Sequence, residues 1–338
     1  MRWKIWCQAA LTRVFCVIPV RIAYLLARAV GCVLALVPSR RRSALAENIG
    51  VVYDATTSDA RVRRDVRRAF QHAMLNYVDL FRLARYDAPE IVDNIAVADW
   101  QPFEEVKARG RGVILVSAHL GNFDNVVQTL ALRGNRVLVP VEPVDPPELL
   151  EAIQRQRSKL GLDIVPVGPN TFKQMAAHVR SGGTVVIVSD RDVQGTGHTV
   201  EFFGRPVRLP QAAVLLSLRT GAPVLGAFGY RHADNSITGR FVRELVFNSP
   251  VSGNVVTSAP SPRSLKASLD AGMRDLAALL ECEIKRDPGQ WVVQQPVFTQ
   301  APIALDSERS TRSGIPGKLR VAGIVGATMS LLWMAGRL

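Results

Sequence analysis

Cysteine, aromatic side chains and acidic charge are all scarce in this chain, and each scarcity removes a class of function. There are 4 cysteines in 338 residues; Cys7, Cys16 and Cys32 share one apolar stretch, and Cys282 stands apart. No C-x-x-C pair and no cysteine at His-ligand spacing occurs, which excludes a disulfide framework and a zinc knuckle. The cysteines read as reduced, small apolar residues of a cytosol-facing protein. Aromatics make up 7% and are not interleaved with basic residues. With neither a helix-turn-helix nor a zinc-finger signature, nucleic acid is not the expected partner. Acidic residues number 29 against 42 Lys and Arg, a formal charge of +13. So basic a chain calls for an anionic counterpart, and anionic lipid headgroups suit its 48% apolar content. His72, His178, His198 and His232 have no carboxylate at metal-ligand spacing, so they read as surface or structural residues and no metal is expected.

Long uncharged runs are also missing. Apolar residues dominate from Ala9 to Val37, but Arg13, Arg21 and Arg28 interrupt them at intervals of eight and seven. Those intervals return to about one face of a helix. At mid-bilayer each arginine would cost about 2.5–3.5 kcal/mol, which argues against a spanning helix. A helix lying in the interface is expected instead, its arginines on phosphates and its Leu, Ile and Phe in the acyl region. A pair of core-packing helices is the alternative. Arg13 and the lack of a small-x-small site argue against a cleaved signal peptide. Ser39-Arg40-Arg41-Arg42 fits either a headgroup contact or a solvated loop. At the other end, a linker rich in Ser, Arg and Pro leads to Val321–Gly336, an uncharged run bracketed by Arg320 and Arg337. It falls short of the usual ~17–25 residues of a span. A short span, a re-entrant segment and a dimer contact through Gly323-Ile324-Val325-Gly326 all remain open. The expected organisation is 1–50 as membrane-associating helices, 51–300 as a catalytic α/β domain, 301–319 as linker and 320–338 as apolar segment.

The middle of the chain alternates short β-branched runs with helical stretches. Gly112–Ala118, Arg136–Val141, Asp163–Val167, Thr184–Ser189 and Pro223–Phe228 have the pattern of buried strands. Asn125–Leu132, Pro147–Leu160, Thr171–Arg180 and a segment from Pro210 to Gly221 have helical spacing. Such alternation predicts an α/β fold with a mainly parallel sheet, in which ligands bind beyond the carboxyl ends of the strands. Upstream, Asp59–Arg85 reads as an exposed amphipathic helix with a basic stripe of Arg61, Arg63, Arg64, Arg67 and Arg68, which fits a solvated surface and a lipid contact equally well.

The first of these strands runs into Ser117-Ala118-His119-Leu120-Gly121-Asn122-Phe123-Asp124. His119 stands at the strand end, Gly121 permits a tight turn, and Asp124 is near enough to accept a hydrogen bond from the imidazole. A carboxylate there fixes the tautomer, and the other ring nitrogen then takes a proton from an attacking hydroxyl. No G-x-S-x-G elbow and no nearby cysteine offers a protein nucleophile. Direct attack by a bound acceptor hydroxyl on an activated acyl group is the chemistry that fits.

From the N-terminal helices to about Phe298 the chain resembles the bacterial lipid A lauroyl/myristoyl acyltransferases and the related phosphatidylinositol mannoside acyltransferases, within the HX4D/E lysophospholipid acyltransferase group. Besides His119 and Asp124, the resemblance rests on Glu142, Arg157-Ser158-Lys159-Leu160-Gly161 and Ser189-Asp190-Arg191-Asp192. It continues through Glu201-Phe202-Phe203-Gly204, the helix after Pro210 with Thr220-Gly221-Ala222-Pro223, and Pro288-Gly289-Gln290-Trp291. It implies a glycerol-phosphate-acyltransferase-like α/β domain on the cytoplasmic leaflet of the inner membrane. It further implies acyl-carrier protein or acyl-CoA as donor, a membrane lipid acceptor and no cofactor. His119 would be the base and Asp124 its partner. Arg157 and Arg191 would bind a phosphate or the carrier arm. Asp190 or Asp192 would supply a second contact to the histidine or the acceptor. Glu142 would make a polar contact in the groove, and Asn122 joins the substrate-binding residues. Glu142 and Asp192 fit a structural ion pair equally well. The chain departs from the family in ending the motif with Asp124 rather than Glu, in carrying Phe123 where Trp is common, and in its apolar tail. A lysophospholipid acyltransferase and a non-catalytic peripheral membrane protein on the same scaffold are the competing readings.

Overall fold

The structure, a computed structural model, describes residues 12–82, 95–142, 154, 161–247 and 262–298. Three helices come first: α1 (Val20–Leu36), α2 (Arg40–Tyr53) and α3 (Ala60–Arg82). Next come β1 (Ile95–Val97), α4 (Gln101–Lys107), β2 (Val113–Ser117), α5 (Phe123–Leu132), β3 (Val137–Val141) and β4 (Leu162–Pro166). The second half comprises α6 (Thr171–Arg180), β5 (Thr184–Val188), β6 (His198–Phe202), β7 (Arg205–Leu209), α7 (Ala212–Thr220), β8 (Val224–Arg231), β9 (Ile237–Leu245) and α8 (Pro262–Arg286).

The described residues build a seven-stranded sheet in the order β1-β9-β8-β2-β5-β3-β4. β8, β2, β5, β3 and β4 are mutually parallel, and β9 runs against β8. This is the mixed α/β fold with a mostly parallel sheet that the strand-helix alternation predicts. Both faces of β2 are covered, which is why it reads as an unbroken apolar run. Ile114 and Val116 face a core with Met175 of α6, Leu216 of α7 and Leu280 of α8. Val113 and Leu115 face Phe103 of α4 and Leu130 of α5.

The N-terminal helices depart from the expected arrangement. Residues 12–17 are helical, but the helix breaks before Pro19 and restarts as α1, so Arg13 and Arg21 do not share one continuous helix. α1 lays Ala23, Ala27, Gly31 and Ala35 on the fold, one residue per turn. That stripe is small because α3 comes close: a Cβ on Gly31 would lie 2.6 Å from the Gln71 Cα. The opposite face, with Ile22, Leu25, Leu26, Val30, Val33 and Leu36, is exposed. Arg28 is turned away from that face and donates to Asn235 Oδ1 at 2.7 Å. Its expected place on lipid phosphate is therefore taken by a tertiary contact. Ser39 caps α2, and Arg42 Nε donates to the Ala35 carbonyl at 2.7 Å, so that basic run begins a helix.

No single helix among the described residues is long and apolar enough to cross a membrane; α1 and α2 form a pair bent by 89°. α3 is exposed and basic only in its first half. From His72 to Arg82 nearly every residue is buried, because the helix there is enclosed by α1 and the sheet's edge. Within the basic half, Arg64 and Arg68 pair with buried Asp65, and Arg68 also with Asp287 at 2.7 Å. Apart from Gln154, which is helical, the expected helix Pro147–Leu160 lies outside the described residues, as do Arg157, the linker and the segment Val321–Gly336.

Candidate active site

Register brings the site together. β2 and β5 are parallel neighbours with Ser117 opposite Val188, so His119 and Asp190, each two residues further on, emerge side by side. His119 Nδ1 lies 2.7 Å from Asp190 Oδ1, and the His119 main-chain N–H donates to Asp190 Oδ2 at 2.9 Å. Trp291 Nε1 donates to the same Oδ2 at 2.8 Å. Asp190 is fully buried. Burial alone would raise its pKa, but the His119 charge, the His119 ring and main-chain hydrogen bonds and the Trp291 N–H outweigh that and hold the carboxyl below its ordinary range. A carboxylate on Nδ1 puts the ring proton there and leaves Nε2 as the basic nitrogen.

The Nδ1 contact expected of Asp124 is thus made by Asp190. Asp124 sits in the first turn of α5 and lines one groove together with His119 and Phe123. The groove, about 680 Å³ including its open, solvent-filled mouth, lies between this turn, Ala73, Asn76, Tyr77 and Leu80 of α3, Arg191, and residues 292–295. The Phe123 ring stands edge-on to the imidazole at 5.1 Å.

The turn between His119 and Asp124 is tightly bound. Gly121 has φ +57, and a Cβ there would lie 1.9 Å from the Gly229 carbonyl, so only glycine fits. The Gly121 N–H donates to the Gln290 carbonyl at 2.9 Å, and its own carbonyl accepts from Asn76 at 2.6 Å. Val292 N–H reaches the His119 carbonyl at 2.9 Å. The Pro288–Trp291 segment therefore holds both the turn and the histidine's carboxylate. Phe202, Phe203 and Phe298 pack around Trp291, with centroids 6.5 Å from the indole, which gives the Glu201–Gly204 hairpin its buried purpose. Glu201 itself is exposed.

The remaining candidates divide. Arg191 and Glu142, brought level by the β3–β5 pairing, form an ion pair beside the groove. Arg191 Nε and Glu142 Oε2 are buried without a hydrogen-bond partner among the described residues. Asp192 turns away and accepts from the Gly195 and Gly197 N–H groups at 3.1 and 2.7 Å, which shapes the loop before β6. Asn122 is a correction to its expected role: it is 1% exposed, donates to Asp79 at 2.7 Å and caps Asn125 N at 3.0 Å. Both ends of its amide are spent inside the protein, so it builds the turn and presents nothing to substrate. His72 and His178 are buried, His198 pairs with Asp270 at 3.0 Å, and His232 with Thr238 at 2.8 Å.

Sequence reasoning missed Asn76, which lines the groove, and Asp79 and Arg231, which stand behind the turn. The signal for Asp79 and Arg231 was a charge in an otherwise apolar run, Tyr77-Val78-Asp79-Leu80-Phe81 and Ala227-Phe228-Gly229-Tyr230-Arg231.

Residues 1–300 match the family described as bacterial lipid A biosynthesis acyltransferase. A phosphatidylinositol mannoside acyltransferase of Mycobacterium tuberculosis is 30% identical over 121 residues, 35% of this chain and 38% of that protein. The protein of that name from Mycolicibacterium smegmatis is 25% identical over 147 residues, 43% of this chain and 48% of the relative. The chain thus spans less than half the length of these curated relatives.

Proposed function

The chain belongs to the bacterial lipid A biosynthesis acyltransferase family, and we propose that it moves a fatty acyl group from a thioester donor to a hydroxyl of a membrane glycolipid. The observation that carries this reading is the His119 Nδ1–Asp190 contact at the mouth of a groove. His119 Nε2 takes the proton of the acceptor hydroxyl as its oxygen attacks the thioester carbonyl. The new C–O bond forms, the C–S bond breaks, and the proton passes to the departing thiolate. Asp190 keeps the tautomer and stabilises the imidazolium. Asp124, on the same groove wall, orients the acceptor or the imidazole from the opposite side.

The groove has two characters that suit a lipid with a polar head. Ala73, Tyr77, Leu80 and Val292 are apolar or aromatic, whereas Asn76, Gln294, Gln295 and Asp124 supply hydrogen-bonding groups. Arg191 adds a guanidinium, whose forked donors suit the phosphates of an acyl-CoA or of a carrier protein's prosthetic arm. The substrate for which the relatives are named, a phosphatidylinositol mannoside, fits the same description of an acceptor rich in hydroxyls. The protein would work at the cytoplasmic face of the inner membrane, with the exposed apolar face of α1 in the acyl region and the chain's positive charge on anionic headgroups.

Transfer of radiolabel from palmitoyl-CoA or palmitoyl-carrier protein to extractable lipid, with wild type and His119→Ala, tests the reading. Label transfer that survives the substitution contradicts it.

A further inference from the structure

The two ends of the His119–Asp124 turn are anchored separately. The histidine end is bound by Asp190 and Val292. The Asp124 end is bound by a buried cluster centred on Asp79, which does not line the groove. Asp79 Oδ1 accepts from the Tyr24 hydroxyl at 2.6 Å, and Oδ2 accepts from Asn122 Nδ2 at 2.7 Å. Arg231 forms an ion pair with Asp79, and the two are 3% and 2% exposed. Arg231 is tied to the same turn by a second route. Its main-chain N–H and carbonyl both bond the Gln290 side chain at 2.9 Å, and the Gln290 carbonyl holds Gly121.

A buried ion pair is an inefficient way to gain stability, because desolvation of both charges offsets most of their attraction. It is an effective way to orient an amide. A carboxylate can only accept, so Asp79 accepts the NH2 end of Asn122 and leaves its oxygen aimed at Asn125 N–H. That oxygen starts α5, and Asp124 lies in its first turn. We propose that Asp79 is a positioning residue for acyl transfer, fixing Asn122 and through it the helix start that carries Asp124 to the groove. Arg231 holds Asp79 in place, and Tyr24 extends the cluster to α1. The proposal rests on the reading of His119 and Asp124 given above and adds a residue that touches no substrate.

The decisive variant is Asp79→Leu/Arg231→Met in the full chain. It removes both charges, so neither is left buried alone, and the stability cost is confined to the Tyr24 and Asn122 donors that lose their acceptor. The assay uses palmitoyl-CoA and a membrane-lipid extract, with thermal unfolding measured in parallel. A positioning role gives a folded variant with KM for palmitoyl-CoA within about twofold and kcat lower by about tenfold or more. A stable double variant with wild-type kcat overturns the proposal. Should that variant fail to fold, Tyr24→Phe removes the hydroxyl that bonds Asp79 and keeps the Asp79–Arg231 ion pair. It is expected to lower kcat about two- to fivefold at unchanged KM, and unchanged kcat overturns the proposal. A wild-type protein without His119-dependent transfer overturns the site reading as well, which separates the two failures.

Discussion

Trp291 donates its indole N–H to the Asp190 oxygen that also accepts the His119 main-chain N–H, at 2.8 and 2.9 Å. The residue 101 positions away from Asp190 in sequence therefore helps His119 hold this carboxylate in its charged form and fixes its angle. The proposed catalytic unit is a histidine, a buried carboxylate and an indole, assembled from the ends of β2 and β5 and from residues beyond the end of α8.

Asp190→Asn leaves the ring in place but offers Nδ1 an amide whose NH2 end favours the wrong tautomer. The expected result is a kcat about 10²-fold lower or more, with KM for the donor little changed. Asp124→Asn is expected to cost less, because Nδ1 keeps its partner. Steady-state kinetics of both variants, with His119→Ala as the floor, check the order.

Trp291→Phe keeps the aromatic packing with Phe202 and Phe298 and removes one donor to a fully buried carboxylate. Stability should fall by about 1–3 kcal/mol, measured by denaturant unfolding. Asp190 must be ionised to act, and its pKa is held down partly by this N–H. The variant's rate should therefore be lost at higher pH than the wild type's on the acid side.

His72 is 7% exposed, and its pKa is pushed down to about 3, first by burial and then by the Arg231 charge. The unfolded chain takes up this proton near pH 6.5 while the folded one does not. Its contribution is therefore intact above that pH and drains away as pH falls towards 3, about 2 kcal/mol being lost by pH 5. His72→Gln should flatten the pH dependence of the melting temperature between pH 6.5 and 5. An unchanged slope would remove His72 from the explanation.

Much of the architecture was legible locally, and the part that was not depended on distant contacts. β2 and β5 were readable because Val-Ile-Leu-Val-Ser and Thr-Val-Val-Ile-Val are buried on both faces. β9 was not, since Ile237–Leu245 mixes Thr, Arg and Glu with its apolar residues and pairs as an antiparallel neighbour. The helix α8 and the buried half of α3 were missed or misjudged for a related reason: each is covered by elements far away in sequence. His119 and Asp124 stood out by their position after a strand. That Asp190 rather than Asp124 meets Nδ1 comes from the β2–β5 register, which no spacing within one segment reveals. Asn122 looked available because burial by Asp79 and Arg231 comes from other elements.

The exposed face of α1 is expected to seat on lipid. Leu25→Asp/Leu26→Asp changes two side chains that are 67% and 51% exposed, so the fold should be kept. Sedimentation with anionic phospholipid vesicles should drop by severalfold. Unchanged sedimentation would move the lipid contact elsewhere.

The most direct measurement is mass spectrometry of membrane lipids from cells with the gene, without it, and complemented by His119→Ala. The expected result is a lipid lighter by one acyl chain in the deletion, restored by wild type and not by His119→Ala. Restoration by His119→Ala would contradict the assignment of His119 as the base, and an identical lipid profile with and without the gene would contradict acyl transfer to a membrane lipid.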